Sequence, residues 1–318
     1  MRRLALCLAI AVGALVAASA ARADGPTFVT QFGQGVTHGS LRYVPVSVYP
    51  TNHTDLVTIS TVDGSAGQAL QLPGQWGLPA IGAGAEGLSR DGRTLVLGQV
   101  AIGVSSPSKF LIVNPDGMKI VRTIVLRGYF SFDALSPNAS RMYLIQYTHG
   151  KSQDLTHYIV RGYDLRTNRL LPGKVADRSE DEGTMAGYAL TRTTSAGGRW
   201  VYTLYQKPNG EPFVHALDTV AAAAYCIDLP KNKAVNNIAL SLRNGGRTLA
   251  VHWRSGRPWL NVAVGSWKIS YPRSAVPWGP VGAGIGGGVV LLAAGALLLR
   301  RRRGQKLQEH ARQELGLA

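Results

Sequence analysis

One short pattern recurs along the chain, and its spacing constrains the fold more than any other feature of the sequence. It consists of a polar turn, an arginine and then a hydrophobic strand, as in Ser89–Leu97. Successive arginines are 51, 48, 58 and 48 residues apart. Repeats of this length, built from short strands and turns, are typical of β-propellers, whose blades cover one another's hydrophobic faces. The arginines are Arg42, Arg93, Arg141, Arg199 and Arg247.

A second pattern keeps the same register as the first. About twenty residues after each of the first four arginines comes a turn that contains Asp or Asn, with a hydrophobic run on either side. Such turns supply backbone geometries that join neighbouring strands. Each unit is therefore predicted to hold four strands: one before the arginine turn, one after it, and a hairpin across the second turn. The second turns are Asp63-Gly64, Asn114–Gly117, Asp164 and Asp218-Thr219, with Gly265-Ser266 in the fifth unit.

These two patterns predict an all-β domain over residues 24–275, a β-propeller of about five four-stranded blades, with a C-terminal membrane helix beyond it. Leu88–Arg93 and Leu135–Asn138 resemble the "S-P-D-G-R" turn of bacterial propellers of the YVTN and WD-repeat-like type. Related propellers often have six or seven blades, so five to seven remain open, and the 58-residue repeat has room for additional structure. The resemblance implies a fold and a tendency to bind partners, and it implies no particular activity.

The N-terminus has the pattern of a secretory signal peptide. Arg2 and Arg3 precede an apolar segment, and Ala21-Arg22-Ala23 offers a small-residue cleavage site. Residues 1–23 are therefore predicted to be removed, and the mature chain is predicted to be exported. A retained membrane helix is the alternative.

Near the C-terminus, Trp278–Leu299 is free of charge over 22 residues. As a helix it would be about 33 Å long, which is enough to cross the hydrocarbon core of a bilayer. We therefore predict a transmembrane helix over 276–299 and, by the positive-inside rule, a cytoplasmic tail over 300–318. We therefore expect localisation at a cell membrane, and the abundance of Arg, Ala and Gly indicates a bacterial source. The stop-transfer residues are Arg300, Arg301, Arg302 and Arg303.

The outer half of this span is rich in glycine. The small-x-x-x-small spacing found here allows two membrane helices to approach closely. It predicts a pairing face and hence a homodimer through the transmembrane helix. The residues of this face are Gly282, Gly284, Gly286 and Gly288.

The whole chain carries a formal charge of +16, but nine of its 34 basic residues and two of its 18 acids lie in the leader and the tail. The outer domain is therefore at about +9. No run of basic residues interleaved with aromatics occurs in it, which argues against nucleic acid as a partner. The charge allows a diffuse attraction to anionic polymers or lipid head groups.

The familiar catalytic motifs are missing from the sequence, including G-x-S-x-G, H-E-x-x-H, the P-loop and C-x-x-C. No catalytic residue and no organic cofactor are predicted, and the six histidines of the outer domain are scattered. The segment 177–183 holds four acids, and Asp177, Asp181 and Glu182 resemble part of a calcium loop. Arg178 interrupts these ligands, and a solvated acidic loop is the favoured interpretation.

Two classes of function follow. The favoured one is a membrane-anchored, extracytoplasmic binding or scaffold module for a protein or a cell-envelope polymer. The alternative is an extracytoplasmic propeller enzyme, a hydrolase or a lactonase-like activity on a sugar or small metabolite. Three or more His, Asp or Glu side chains converging in a central pocket would favour the enzyme, whereas a channel plugged by apolar residues would favour the scaffold.

Overall fold

The computed structural model describes residues 27–29, 34–48, 51–82, 84–100, 106–149, 151, 154–177 and 185–272. The predicted leader, membrane helix and tail lie outside these residues. Among the residues described, no helix has the length and hydropathy needed to cross a membrane. The described part is all-β, with two short 3-10 helices at Val235–Asn237 and Asn244–Gly246.

The strands form five antiparallel sheets that follow one another along the chain, as the repeat predicts for a β-propeller. Strand β1 (Thr27–Val29) precedes them. Blade one contains β2 (Val36–His38), β3 (Leu41–Val48), β4 (His53–Ser60) and β5 (Ala66–Pro73). Blade two contains β6 (Trp76–Ile81), β7 (Gly84–Ala85), β8 (Leu95–Gln99), β9 (Ser108–Asn114) and β10 (Lys119–Leu126). Blade three contains β11 (Phe130–Leu135), β12 (Arg141–His149), β13 (Asp154–Asp164), β14 (Arg169–Leu170) and β15 (Met185–Ala186). Blade four contains β16 (Tyr188–Thr194), β17 (Trp200–Gln206), β18 (Pro212–Asp218) and β19 (Ala223–Asp228). Blade five contains β20 (Ile238–Arg243), β21 (Thr248–Trp253), β22 (Pro258–Ala263) and β23 (Ile269–Ser270).

Both sequence patterns mark hairpin turns, as predicted. In every blade the arginine turn joins the first main strand to the second, and the Asp, Asn or Gly turn joins the third to the fourth. Because the strands of a blade alternate in direction, both turns lie at the same end of the blade. We call this end the arginine face, and we call the end with the links between blades the opposite face.

Four buried apolar clusters fill the spaces between successive blades. Leu56 and Leu72 of blade one pack with Leu78 and Leu95 of blade two, and Phe110 of blade two packs with residues of blade three. Two further clusters join blade three to blade four and blade four to blade five. None of these four clusters combines residues of blade five with residues of blade one. Each blade therefore depends on its neighbour for burial.

The long 58-residue repeat does contain additional structure. The short strand β15 pairs with β13 at the opposite face, where His157 and Tyr158 lie across from Ala186 and Met185. In the sequence, the acidic segment that begins at Asp177 lies between β14 and β15. The N-terminal strand β1 is a second addition, because it pairs with β6 of blade two and not with blade one.

Candidate functional site

A cleft of about 420 Å³ opens on the arginine face, where the innermost strands of blades one to four end. Its lining comes from four segments, one from each blade, within residues 35–38, 85–90, 132–137 and 194–198, together with Val201. Three of these segments include the beginning of an arginine turn. The repeat that sets the fold therefore also builds the walls of the cleft.

The turns that form the walls share one hydrogen bond in three blades. The hydroxyl oxygen of Ser89 accepts the backbone N–H of Thr94 at 2.9 Å. Ser136 accepts the N–H of Arg141 at 3.0 Å, and Ser195 accepts the N–H of Trp200 at 2.9 Å. These serines lie at the cleft, but their oxygens hold the turns closed. They are therefore suited to shaping the cleft.

The turn of blade one is held against blade two by close contact. Gly92 has a positive φ of 72°, and a Cβ at this position would lie 2.4 Å from the ring of His38. Glycine is therefore required here both for the turn geometry and for the approach of the imidazole. His38 and Arg90 remain exposed at the rim of the cleft.

The most distinctive feature near the cleft is a buried guanidinium. The Arg192 side chain of blade four is 2% exposed, and its Nη1 donates to Oε2 of Glu86 in blade two at 2.8 Å. The same guanidinium donates to the carbonyl oxygen and to the carboxylate of Asp133 in blade three. Its Nε donates to the hydroxyl of Thr203 at 2.8 Å. One side chain thus joins three blades.

Two opposing effects set the pKa of Arg192: its burial and the nearby carboxylates. Burial lowers the pKa of Arg192, but the carboxylates of Glu86 and Asp133 raise it more, and the net result lies above its ordinary value. Asp133 is 4% exposed, whereas Glu86 is 26% exposed and lines the cleft. Glu86 therefore connects the buried ion pairs with the solvent in the cleft.

Further buried polar groups lie between blades three and four. The Ser131 hydroxyl donates to the phenol oxygen of Tyr147 at 3.3 Å, and burial raises the pKa of Tyr147 to about 12. Burial also lowers the pKa of His215, which favours the neutral form of its imidazole. Among the described residues, none donates to or accepts from Nε2 of His215. The interior between blades three and four is therefore polar.

The residues beside the cleft match neither of the two predicted arrangements, which were three or more convergent His, Asp or Glu side chains and a plug of apolar residues. Beside the cleft, the described residues bring together two carboxylates, both bound to Arg192. Beside the cleft there are thus ion pairs, where the scaffold expectation placed apolar residues. Sequence reasoning missed this group because its members are 59 and 106 residues apart. No local pattern links them.

Of the three residues considered for calcium, only Asp177 lies within the described part. Its Oδ2 accepts the backbone N–H of Cys226 at 2.7 Å, which connects the start of the acidic segment to β19 of blade four. Asp181 and Glu182 lie outside the described residues. The glycines of the pairing face and the stop-transfer arginines also lie outside them.

One cluster at the opposite face was not anticipated. The sequence treats the histidines as scattered, but the hairpin β12–β13 brings His149 and His157 to the two sides of Asp154. The sequence gives only a weak indication of this cluster. His149 ends β12 and Asp154 begins β13, and whether the two become cross-strand partners depends on the length of the connection between the strands.

No protein-family model matches this chain, and no curated protein matches it in sequence. Solved structures do match it in fold. Hydrazine synthase of Kuenenia stuttgartiensis is 14% identical with a TM-score of 0.45, over 68% of this chain and 59% of that one. The β-propeller domain of Cps50 (Swd1) from Myceliophteria thermophila is 13% identical with a TM-score of 0.43, over 72% and 62%. A functionally unknown protein from Desulfotomaculum acetoxidans is 12% identical with a TM-score of 0.46, over 78% and 68%. This chain thus spans about 60% of the length of the first two.

Proposed function

We propose that this chain is a membrane-anchored, extracytoplasmic binding module, and that its partner is a protein or a cell-envelope polymer that docks at the cleft of the arginine face. The observation that carries the proposal is the construction of this cleft from four blades. Because turns from separate repeats surround it, an extended ligand could contact several blades at once.

The chemistry of the rim favours a polar or anionic partner. Arg90 and Arg93 are exposed on the turn of blade two, and His38 is exposed beside them. The outer domain carries an excess of positive charge, which attracts anionic groups. Arginine also binds carboxylate or phosphate groups through paired hydrogen bonds.

The interior of the cleft favours binding over turnover. Glu86 and Asp133 are the carboxylates beside it, and both are engaged by Arg192. The carboxylate oxygens that accept from Arg192 are thus occupied by hydrogen bonds within the protein itself. The ion pairs support the shape of the cleft, which is what a docking surface needs.

Site-specific photocrosslinking in the full chain tests the proposal. A photoreactive amino acid at Ala196, in the lining of the cleft, should trap one partner in the native membrane. The same amino acid at Ser255, in the exposed loop between β21 and β22, serves as the matched control. The yield at Ala196 should fall at least tenfold in an Arg90→Glu variant. Equal products from Ala196 and Ser255, or a yield indifferent to Arg90→Glu, would contradict the docking site.

The same material tests the enzyme alternative. Turnover of lactones or sugar esters by the purified chain, abolished by Glu86→Gln, would replace the binding module with an extracytoplasmic enzyme. The Glu86→Gln variant keeps the size and a hydrogen-bonding group of the side chain, so its stability can be compared with wild type to exclude simple unfolding.

The anchoring part of the proposal rests on the sequence of residues 276–299 and the arginines after it. We propose in addition that Gly282, Gly284, Gly286 and Gly288 form a face through which two copies pair. A Gly284→Leu variant in detergent should shift from dimer to monomer, whereas Leu292→Ala, away from the glycine-rich half, should not. A Gly284→Leu variant with the oligomeric state of wild type would remove the pairing face from the proposal.

A further inference from the structure

The end of blade three at the opposite face gathers three groups that bind transition metals. His149 is the last residue of β12, Asp154 is the first residue of β13, and the two are cross-strand partners. His157 follows three residues later on β13. The side chains of His149, Asp154 and His157 are 57%, 33% and 39% exposed. Solvent and ions can therefore reach all three.

The ligand atoms are close together. Oδ2 of Asp154 lies 3.4 Å from Nδ1 of His149 and 2.8 Å from Nδ1 of His157. One ligand atom from each of the three residues lies within 4.8 Å of the others. The two imidazole rings are tilted by 57°, with centroids 5.0 Å apart. The carboxylate oxygen thus lies within reach of both imidazole nitrogens.

These separations are similar to those within a metal's coordination shell. Zinc binds imidazole nitrogen and carboxylate oxygen at about 2.0–2.2 Å, so neighbouring ligand atoms of a tetrahedral site are roughly 3.3 Å apart. The two nitrogen–oxygen distances lie on either side of this value. A small rotation of the exposed imidazoles would be sufficient to admit an ion.

Thr156 orients the carboxylate. Its backbone N–H donates to Oδ1 of Asp154 at 2.8 Å, and its hydroxyl donates to the same oxygen. Oδ2 is thereby left facing the two histidines. Partners of this kind fix the orientation of metal ligands in known sites. The Thr156 hydroxyl also lies 3.0 Å from Nδ1 of His157, a contact that a bound metal would displace.

From this geometry we propose that His149, Asp154 and His157 bind a divalent late first-row transition metal, with Zn²⁺ as the probe. Two imidazoles and one carboxylate suit Zn²⁺, Ni²⁺ and Cu²⁺, whereas Ca²⁺ and Mg²⁺ take oxygen ligands. Three protein ligands at an exposed position leave room for water or for a ligand from a partner. The site is distinct from the cleft, since it lies on the other face of the blade.

Equilibrium dialysis of the full chain with ZnSO₄, in detergent and without a histidine tag, tests the site. Wild type should bind one equivalent of Zn²⁺ after treatment with a chelator. His149→Ala, His157→Ala and Asp154→Asn should each weaken binding at least tenfold. His53→Ala is the matched control, because His53 lies 3.5 Å from Asp55 at the same end of blade one. This variant should bind Zn²⁺ as wild type does.

Cobalt supplies a second measurement. Co²⁺ bound by four ligands should give visible absorption bands, and these bands should disappear in His149→Ala but not in His53→Ala. Thermal unfolding without metal checks that every variant is folded. Binding that is absent in wild type, or that is unchanged in the His149→Ala/His157→Ala double variant, would overturn the proposal.

Discussion

Arg192 shows how one residue can hold several repeats together. Its side chain is buried between blades two, three and four, and four hydrogen bonds engage four of its five N–H donors. Taking a guanidinium out of water is costly unless carboxylates compensate for it. Here the two compensating groups, Glu86 and Asp133, come from different blades. The ion pairs therefore fix the positions of the blades around the cleft.

We predict that Arg192→Met destabilises the chain by about 3–5 kcal/mol, because it leaves the 4% exposed Asp133 without its partner. Urea unfolding of the full chain in detergent measures the change. Lys207→Ala is the control, since the Lys207–Asp228 pair is on the surface and is worth about 0–1 kcal/mol. Equal losses for the two variants would contradict a special role for Arg192.

Glycine at position 87 is required by both its conformation and its surroundings. Its φ is +101°, and a Cβ would lie 2.5 Å from the carbonyl oxygen of Val96. We predict that Gly87→Ala costs at least about 1–3 kcal/mol. Gly197, which lies on the turn of blade four with open space around its Cα, offers the comparison. Gly197→Ala should leave the midpoint of thermal unfolding unchanged within error or raise it slightly.

At the scale of strands and turns, the carboxylates of the turns act as fixed acceptors. The Asp218 carboxylate accepts the N–H groups of Val220 and Ala221, each at 3.0 Å, and pairs with Arg199 at 2.7 Å. Burial alone would raise the pKa of Asp218. These hydrogen bonds and the Arg199 charge together outweigh burial, so the pKa lies below its ordinary value. In blade one, hydrogen bonds from Ser60 and Ser65 lower the pKa of Asp63 to about 2.

These shifts predict the response of stability to acid. A carboxyl with a lowered folded pKa stabilises the protein above its unfolded pKa of about 4, and this contribution is lost as the pH falls through the folded value. The free energy of unfolding should therefore begin to fall below about pH 6.5, where the unfolded chain protonates His215, and should fall further between about pH 4 and pH 2 as the carboxylates are protonated. Asp218→Asn should lower it by roughly 1.5–3 kcal/mol at pH 7 and reduce the acid-induced fall. A variant with the full acid-induced fall of wild type would contradict the role of Asp218.

The sequence was sufficient to predict the blades, since each blade is made from local signals. Ser136 and Arg141 mark one turn, Asp164 marks the next, and the strands on either side pair with their neighbours in the chain. The sequence did not predict pairings between distant segments. Strand β1 pairs with β6, which is about fifty residues away in the sequence. Arg192 of blade four binds Asp133 of blade three. Such contacts depend on how blades stack, which a repeat does not encode locally.

At the scale of the whole molecule, the apolar clusters make the blades interdependent. Tyr202, Leu204 and Val214 of blade four are fully buried, and Leu249 and Val251 of blade five pack against them. Burying a large apolar side chain contributes about 1.5–3 kcal/mol. The stability of the domain is therefore a sum over blade interfaces, in which the loss of one blade exposes the face of the next.

Truncation tests this view together with the predicted domain boundary. A chain that ends at residue 275 keeps all five blades, and we expect it to unfold in one transition within about 3 °C of the full chain, a change below roughly 1 kcal/mol. A chain that ends at Leu229 lacks blade five and exposes Tyr202 and Leu204. It should aggregate or lose its cooperative transition, as measured by calorimetry and light scattering. If the shorter chain unfolded as cooperatively as the longer one, blade four would not depend on blade five, and the cluster between them would not contribute as its burial implies.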